Sequence, residues 1–174
     1  VVVTPLQIAC AYATIANEGV RMKPRLVKAL LANDGTVVRE FPPEKVQRVV
    51  SAATARKMCR ALETVVDPRG EGNTGKLASV PGYLVGGKTG TARIHKDGVY
   101  LPDRYAVSFA GFMPRDNPAF ACVVVIHDPR SDEIKVGGGS VAAPVFQRIA
   151  ARTASYLNIP TTEVVEETLA SSAN

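Results

Sequence analysis

Gly86-Gly87-Lys88-Thr89-Gly90-Thr91-Ala92 is the stretch whose reading decides the fold, because it fits two incompatible local structures. With the four residues before it, Gly82-Tyr83-Leu84-Val85-Gly86-Gly87-Lys88-Thr89 matches the phosphate-loop pattern G-x-x-x-x-G-K-[ST]. Such a loop must follow a buried strand and open a helix, so that backbone N–H groups and the helix dipole face the phosphates. The context denies it both. Lys76-Leu77-Ala78-Ser79-Val80-Pro81 is a poor strand, and Gly90 and Thr91 disfavour a helix start. Tyr83, Leu84 and Val85 would make a poor phosphate cradle, although Val123-Val124-Val125-Ile126-His127-Asp128 imitates an apolar strand ending in a metal-holding aspartate.

As an extended strand the same run makes chemical sense. Side chains alternate between faces, so Thr89 and Thr91 point one way and Lys88 the other. Two hydroxyls on one face can bind a carboxylate, Lys88 sets the local field, and the glycines admit a close neighbour. The adjacent backbone N–H groups remain available to a developing oxyanion.

Outward from this strand, Lys96-Asp97-Gly98 reads as a turn. Residues 105–112, Tyr-Ala-Val-Ser-Phe-Ala-Gly-Phe, alternate larger and smaller side chains, and residues 119–126 form a continuous apolar run. Joined by the turn at 113–118, these predict a three-stranded antiparallel meander with the motif strand at one side. Gly137-Gly138-Gly139 then leads to Ser140 as the N-cap of a helix through Leu157, with Val145, Phe146, Ile149 and Tyr156 on one stripe. Upstream, Thr4, Pro5 and Gln7 make a capping box for a first helix, which Asn17-Glu18-Gly19 stops. A peripheral hairpin turns at Asp34-Gly35. A second helix begins near Ser51 or Thr54, carries Met58, Leu62, Val65 and Val66, and ends at Asp67-Pro68. Residues 69–82 read as a mobile loop in front of the motif, and 161–174 as a flexible tail. The fold class is therefore α+β, an antiparallel sheet flanked by helices.

Composition narrows the function. With 46% hydrophobic and 21% charged residues the chain can build a core, and its net charge of +5 is scattered rather than gathered into a basic run. That distribution describes a solvated surface and not a nucleic-acid footprint. Cys10, Cys59 and Cys122 are odd in number and sit among apolar neighbours, which predicts buried free thiols rather than a disulfide framework or metal site. His95 and His127 stand alone without ligand spacing, so neither a metal nor a cofactor is expected.

Four blocks in matching order carry a more specific signal. Val3-Thr4-Pro5-Leu6-Gln7, Lys88-Thr89-Gly90-Thr91, the strand at 105–112, and Gly139-Ser140-Val141-Ala142-Ala143-Pro144-Val145-Phe146 together resemble the transpeptidase domain of class B penicillin-binding proteins. The resemblance runs from Val1 to about Pro160, and it implies the C-terminal part of the serine β-lactamase and penicillin-binding fold over residues 1–160. It implies a peptidoglycan D,D-transpeptidase of bacterial elongation or division, placed outside the cytoplasm on the inner membrane by an anchor beyond this sequence. Its partners would be the D-Ala-D-Ala stem peptide, β-lactams and other cell-wall synthesis proteins. By the same resemblance Lys88 holds positive potential beside a proton relay, Thr89, Gly90 and Thr91 bind the substrate carboxylate, and the Thr91 backbone N–H is an oxyanion-hole donor.

The family also needs S-x-x-K for nucleophile and base, and S-x-N for the relay. Neither stands here. None of Ser51, Ser79, Ser108, Ser131, Ser140, Ser155, Ser171 or Ser172 has a lysine three residues on, and only Ser172 has an asparagine two residues on. The nucleophilic serine and the base lysine are thus expected outside this chain, which alone should be inactive and, with its helical layer incomplete, should self-associate or bind a companion chain. The alternative is a catalytically dead interaction module on the same scaffold.

Overall fold

The structure, a computed structural model, describes residues 2–162; the tail expected at 161–174 lies, beyond Thr162, outside the described residues. Helix α1 spans Pro5–Ala16 and begins as its capping box requires. The Thr4 hydroxyl accepts from the Gln7 N–H at 3.2 Å, and the Thr4 N–H donates to Gln7 Oε1 at 2.7 Å. The helix inner face is set by Thr14, whose hydroxyl donates back to the Cys10 carbonyl, while Leu6 and Ala13 are exposed. Two small antiparallel pairs follow. Strand β1 (Val20–Met22) pairs with β4 (Lys45–Arg48), which the sequence reading left unassigned. Strands β2 (Ala29–Leu31) and β3 (Val37–Glu40) form the expected Asp-Gly hairpin, anchored at its turn by Asp34 accepting from Thr36.

Helix α2, Ala52–Thr64, is capped by the Ser51 hydroxyl, which accepts from the Thr54 N–H. Its buried seam is Ala55 and Cys59, four apart and turned toward Ile15 of α1, so Met58 lies outside. The helix ends at Thr64, three residues short of the Asp67-Pro68 stop. Residues 69–82 are not the mobile loop expected. They hold a 3₁₀ turn at Lys76–Ala78, and Ala78 and Val80 are core residues that tie the segment down.

Three strands form the central sheet in the order β5-β6-β7: β5 (Gly86–Lys96), β6 (Val99–Met113) and β7 (Phe120–His127). The antiparallel meander is as expected, and strand alternation divides it into two packed faces. Val107, Phe109 and Met113 of β6, with Val124 of β7, face helix α3 (Ala143–Tyr156), where the Phe109 and Phe146 rings meet at 4.7 Å. Ala110 and Phe112 lie on the other face, the one α1 and α2 cover. The Arg115–Glu63 ion pair at 2.6 Å locks the β6–β7 turn to α2.

Helix α3 does not start on Ser140 as the sequence suggested. The chain enters it through a π-helical turn, Gly138–Ala142, and the Ser140 hydroxyl instead donates to the carbonyls of Lys135 and Gly137, holding the approach loop. After α3, the Ile159 carbonyl accepts from the Tyr83 hydroxyl at 2.8 Å and the Thr162 N–H donates to the Gly82 carbonyl at 2.9 Å.

Phe146→Ala should cost about 3–5 kcal/mol in denaturant unfolding, whereas Val125→Ala, at a β7 position that is 43% exposed, should stay within about 0.5 kcal/mol. At the end of β7, hydrogen bonding from the Arg104 guanidinium holds the Asp128 carboxyl below its usual range. A pKa depressed by folding stabilises the fold above the unfolded carboxyl pKa, and that contribution disappears as pH falls through the folded value. Asp128→Asn should therefore be less stable than the parent at neutral pH, with the gap closing well below about pH 4, as unfolding midpoints at both pH values will show.

Candidate functional site

The motif strand is an edge. On one side β5 pairs with β6, placing Lys88 opposite Ala110, Thr89 opposite Phe109 and Thr91 opposite Val107; on its outer side no strand lies among the described residues. Thr89 and Thr91 thus share the row of Phe109 and Val107, and Lys88 belongs to the other row. The long lysine stem then bends round the open edge, and Lys88 Nζ donates to Thr89 Oγ1 at 3.1 Å and to the Thr89 carbonyl at 3.2 Å. No carboxylate of the described residues forms an ion pair with Lys88, which is exposed. An uncompensated ammonium beside the Thr89 hydroxyl is a setting for an anion.

The glycines explain how a packed fold keeps this edge straight. A Cβ at Gly87 would stand 2.5 Å from the Phe109 ring, so only glycine lets that ring lie beneath the strand. Gly138 is tighter still. A Cβ there would lie 2.4 Å from the Ser108 carbonyl oxygen, 2.6 Å from the Gly90 carbonyl oxygen and 2.8 Å from the Gly90 nitrogen. That approach brings the Gly138 N–H to Thr91 Oγ1 at 3.1 Å, so the turn before α3 orients the second motif hydroxyl. The first is held by the turn after α2: Thr89 Oγ1 donates to Thr74 Oγ1 at 3.1 Å.

All four sequence-predicted residues, Lys88, Thr89, Gly90 and Thr91, therefore lie together on one open wall. Sequence reasoning missed Thr74 and the Gly138 N–H. Thr74 falls within the stretch read as a mobile loop and Gly138 within the run read only as leading into Ser140; in both, the neighbouring glycines mark a close backbone approach. Elsewhere, an apolar hollow of about 560 Å³ opens against α1, lined by Leu6, Cys10, Ile15, Pro24 and Val49. Cys59 is buried, and burial pushes its thiol pKa up; Cys10 and Cys122 are half-buried. Among the described residues no three of His, Cys, Asp and Glu gather as metal ligands, and no helix is long and apolar enough to cross a membrane.

An antiparallel-sheet domain with helices on both faces and a lysine-hydroxyl edge strand defines the class, and comparison with known proteins gives the family. The chain belongs to the penicillin-binding protein transpeptidase domain family, whose model matches residues 1–151. It is 41% identical over 162 residues to penicillin-binding protein PbpB of Mycolicibacterium smegmatis, covering 90% of this chain and 25% of that protein. It is 36% identical over 158 residues to peptidoglycan D,D-transpeptidase FtsI of Escherichia coli K12, covering 90% of this chain and 24% of that one. The crystal structure of penicillin binding protein 3 from Mycobacterium tuberculosis complexed with ampicillin superposes with a TM-score of 0.81 at 37% identity, over 94% of this chain and 37% of the other. The chain thus spans about a quarter of the length of the curated relatives it matches.

Gly138→Ala should force the turn away from β5 and detach its N–H from Thr91. Overpacking of this kind costs about 1–3 kcal/mol, which thermal unfolding of the variant will register.

Proposed function

We propose that this chain is the C-terminal portion, residues 1–160, of a peptidoglycan D,D-transpeptidase domain and supplies its substrate-binding edge strand. The observation that carries the reading is the juxtaposition of an unpaired Lys88 ammonium with the Thr89 and Thr91 hydroxyls on an open strand edge. Here the Thr89 and Thr91 hydroxyls, with Gly90 between them, hold the terminal carboxylate of a D-Ala-D-Ala stem peptide, or that of a β-lactam. Lys88 keeps the potential positive beside the proton relay. The Thr91 N–H is one of two oxyanion donors, a group whose removal costs roughly 2.7–4 kcal/mol where such donors have been deleted.

The nucleophilic serine, its base lysine and the relay serine come from residues outside this chain, since no S-x-x-K stands in it. The relatives' association with β-lactams, ampicillin in one structure and aztreonam in another, supports the ligand class. The enzyme works on the extracytoplasmic face of the inner membrane, alongside other cell-wall synthesis proteins. The apolar hollow beside α1 is where the remainder of the same domain packs, so the isolated chain self-associates.

Fluorescent penicillin should label the full-length protein carrying this chain and leave the 174-residue polypeptide unlabelled. Labelling of the isolated polypeptide would contradict the placement of the nucleophile, and an unlabelled full-length protein would mark a catalytically dead scaffold. Sedimentation of the isolated chain should give species larger than a compact monomer.

A further inference from the structure

Thr74 has an exposed side chain on an unusually fixed backbone. The turn after α2 closes through Asn73 Nδ2, which donates to the Asp67 carbonyl at 2.7 Å, and through the Gly75 N–H, which donates to the Val65 carbonyl at 3.0 Å. A Cβ at Gly75 would stand 3.2 Å from the Phe109 ring, and one at Gly139 would stand 2.1 Å from the Thr74 carbonyl oxygen. Residues 74 and 75 are thus gripped between the end of α2, the buried Phe109 ring and the turn that enters α3. From that platform the Thr74 hydroxyl meets Thr89 Oγ1 at 3.1 Å, and Thr89 Oγ1 also accepts from Lys88 Nζ at 3.1 Å.

We infer that Thr74 is a positioning residue for the motif, acting through the Thr89 hydroxyl; this rests on the transpeptidase reading above. A hydroxyl has one proton to give and can accept as well, whereas a carboxylate only accepts. In the structure the Thr89 proton points to Thr74. A substrate carboxylate that takes this proton leaves the hydroxyl pair intact only if Thr74 turns and donates its own proton to Thr89 Oγ1. Each hydroxyl keeps its proton, and only the direction of the bond reverses. Serine at 74 can make this reversal, and valine, of nearly the same shape, cannot.

The consequence falls on ligand capture, because the Thr74 hydroxyl acts through Thr89 Oγ1 and not through the Thr91 backbone N–H. The test measures acylation of the full-length protein by a fluorescent penicillin across concentration, for the parent, Thr74→Val and Thr74→Ser. In Thr74→Val the half-saturating concentration should rise roughly threefold to tenfold, the worth of one hydrogen bond, with the limiting rate within about twofold. Thr74→Ser should restore parental behaviour, and the thermal midpoints of all three should agree. Parental capture in Thr74→Val overturns the inference, as does a loss of limiting rate and stability together that serine fails to rescue. An unlabelled parent instead overturns the transpeptidase reading, and the inference with it.

Discussion

The ring of Phe109 is the contact on which the site depends. It is fully buried, packs at a tilt against Phe146 of α3, and is paired across the sheet with Thr89 of the motif. Its edges lie where side chains at Gly75, Gly87 and Gly111 would otherwise project. One apolar ring therefore fixes the distance between the motif strand, the Thr74 turn and the C-terminal helix. Close-packed interiors transmit such constraints without slack, so a hydroxyl at the sheet edge inherits its place from a ring beneath it.

The electrostatics follow from the same arrangement. Because β5 is the last strand of the sheet, Lys88 can lean round the edge and share a hydroxyl with its neighbour instead of pairing with a carboxylate. Charged partners are abundant elsewhere. Glu63 holds Arg115, and Asp128 holds Arg104, each locking one element to another. The motif lysine is spared from that structural duty, and its field is left for an incoming anion. Cations and hydroxyls on an open wall bind but do not by themselves break a bond, which agrees with the absence of an S-x-x-K in the sequence.

Much of this was legible in advance. Apolar alternation and turn chemistry gave the meander and its order, and the Thr4-Pro5-Gln7 box placed the first helix to the residue. Short-range signals succeeded where one element decides its own conformation. They failed where tertiary contact overrides local preference. Ser140 is an attractive cap by composition, yet the Gly138 N–H is already committed to Thr91, and the chain winds into a π-helical turn. The 69–82 segment is polar and glycine-rich, yet Ala78 and Val80 bury themselves under α3. Thr74 escaped notice because its partner is fifteen residues away along the chain, a relation no periodicity encodes.

The central claim is that the β5 edge is the carboxylate-binding wall of a transpeptidase site. A crystal structure of the full-length protein acylated by a β-lactam tests it most directly. The account predicts the ligand carboxylate within about 3 Å of both the Thr89 and Thr91 hydroxyl oxygens, lying along the outer side of β5. An acyl group whose carboxylate leaves both threonines unengaged would contradict it.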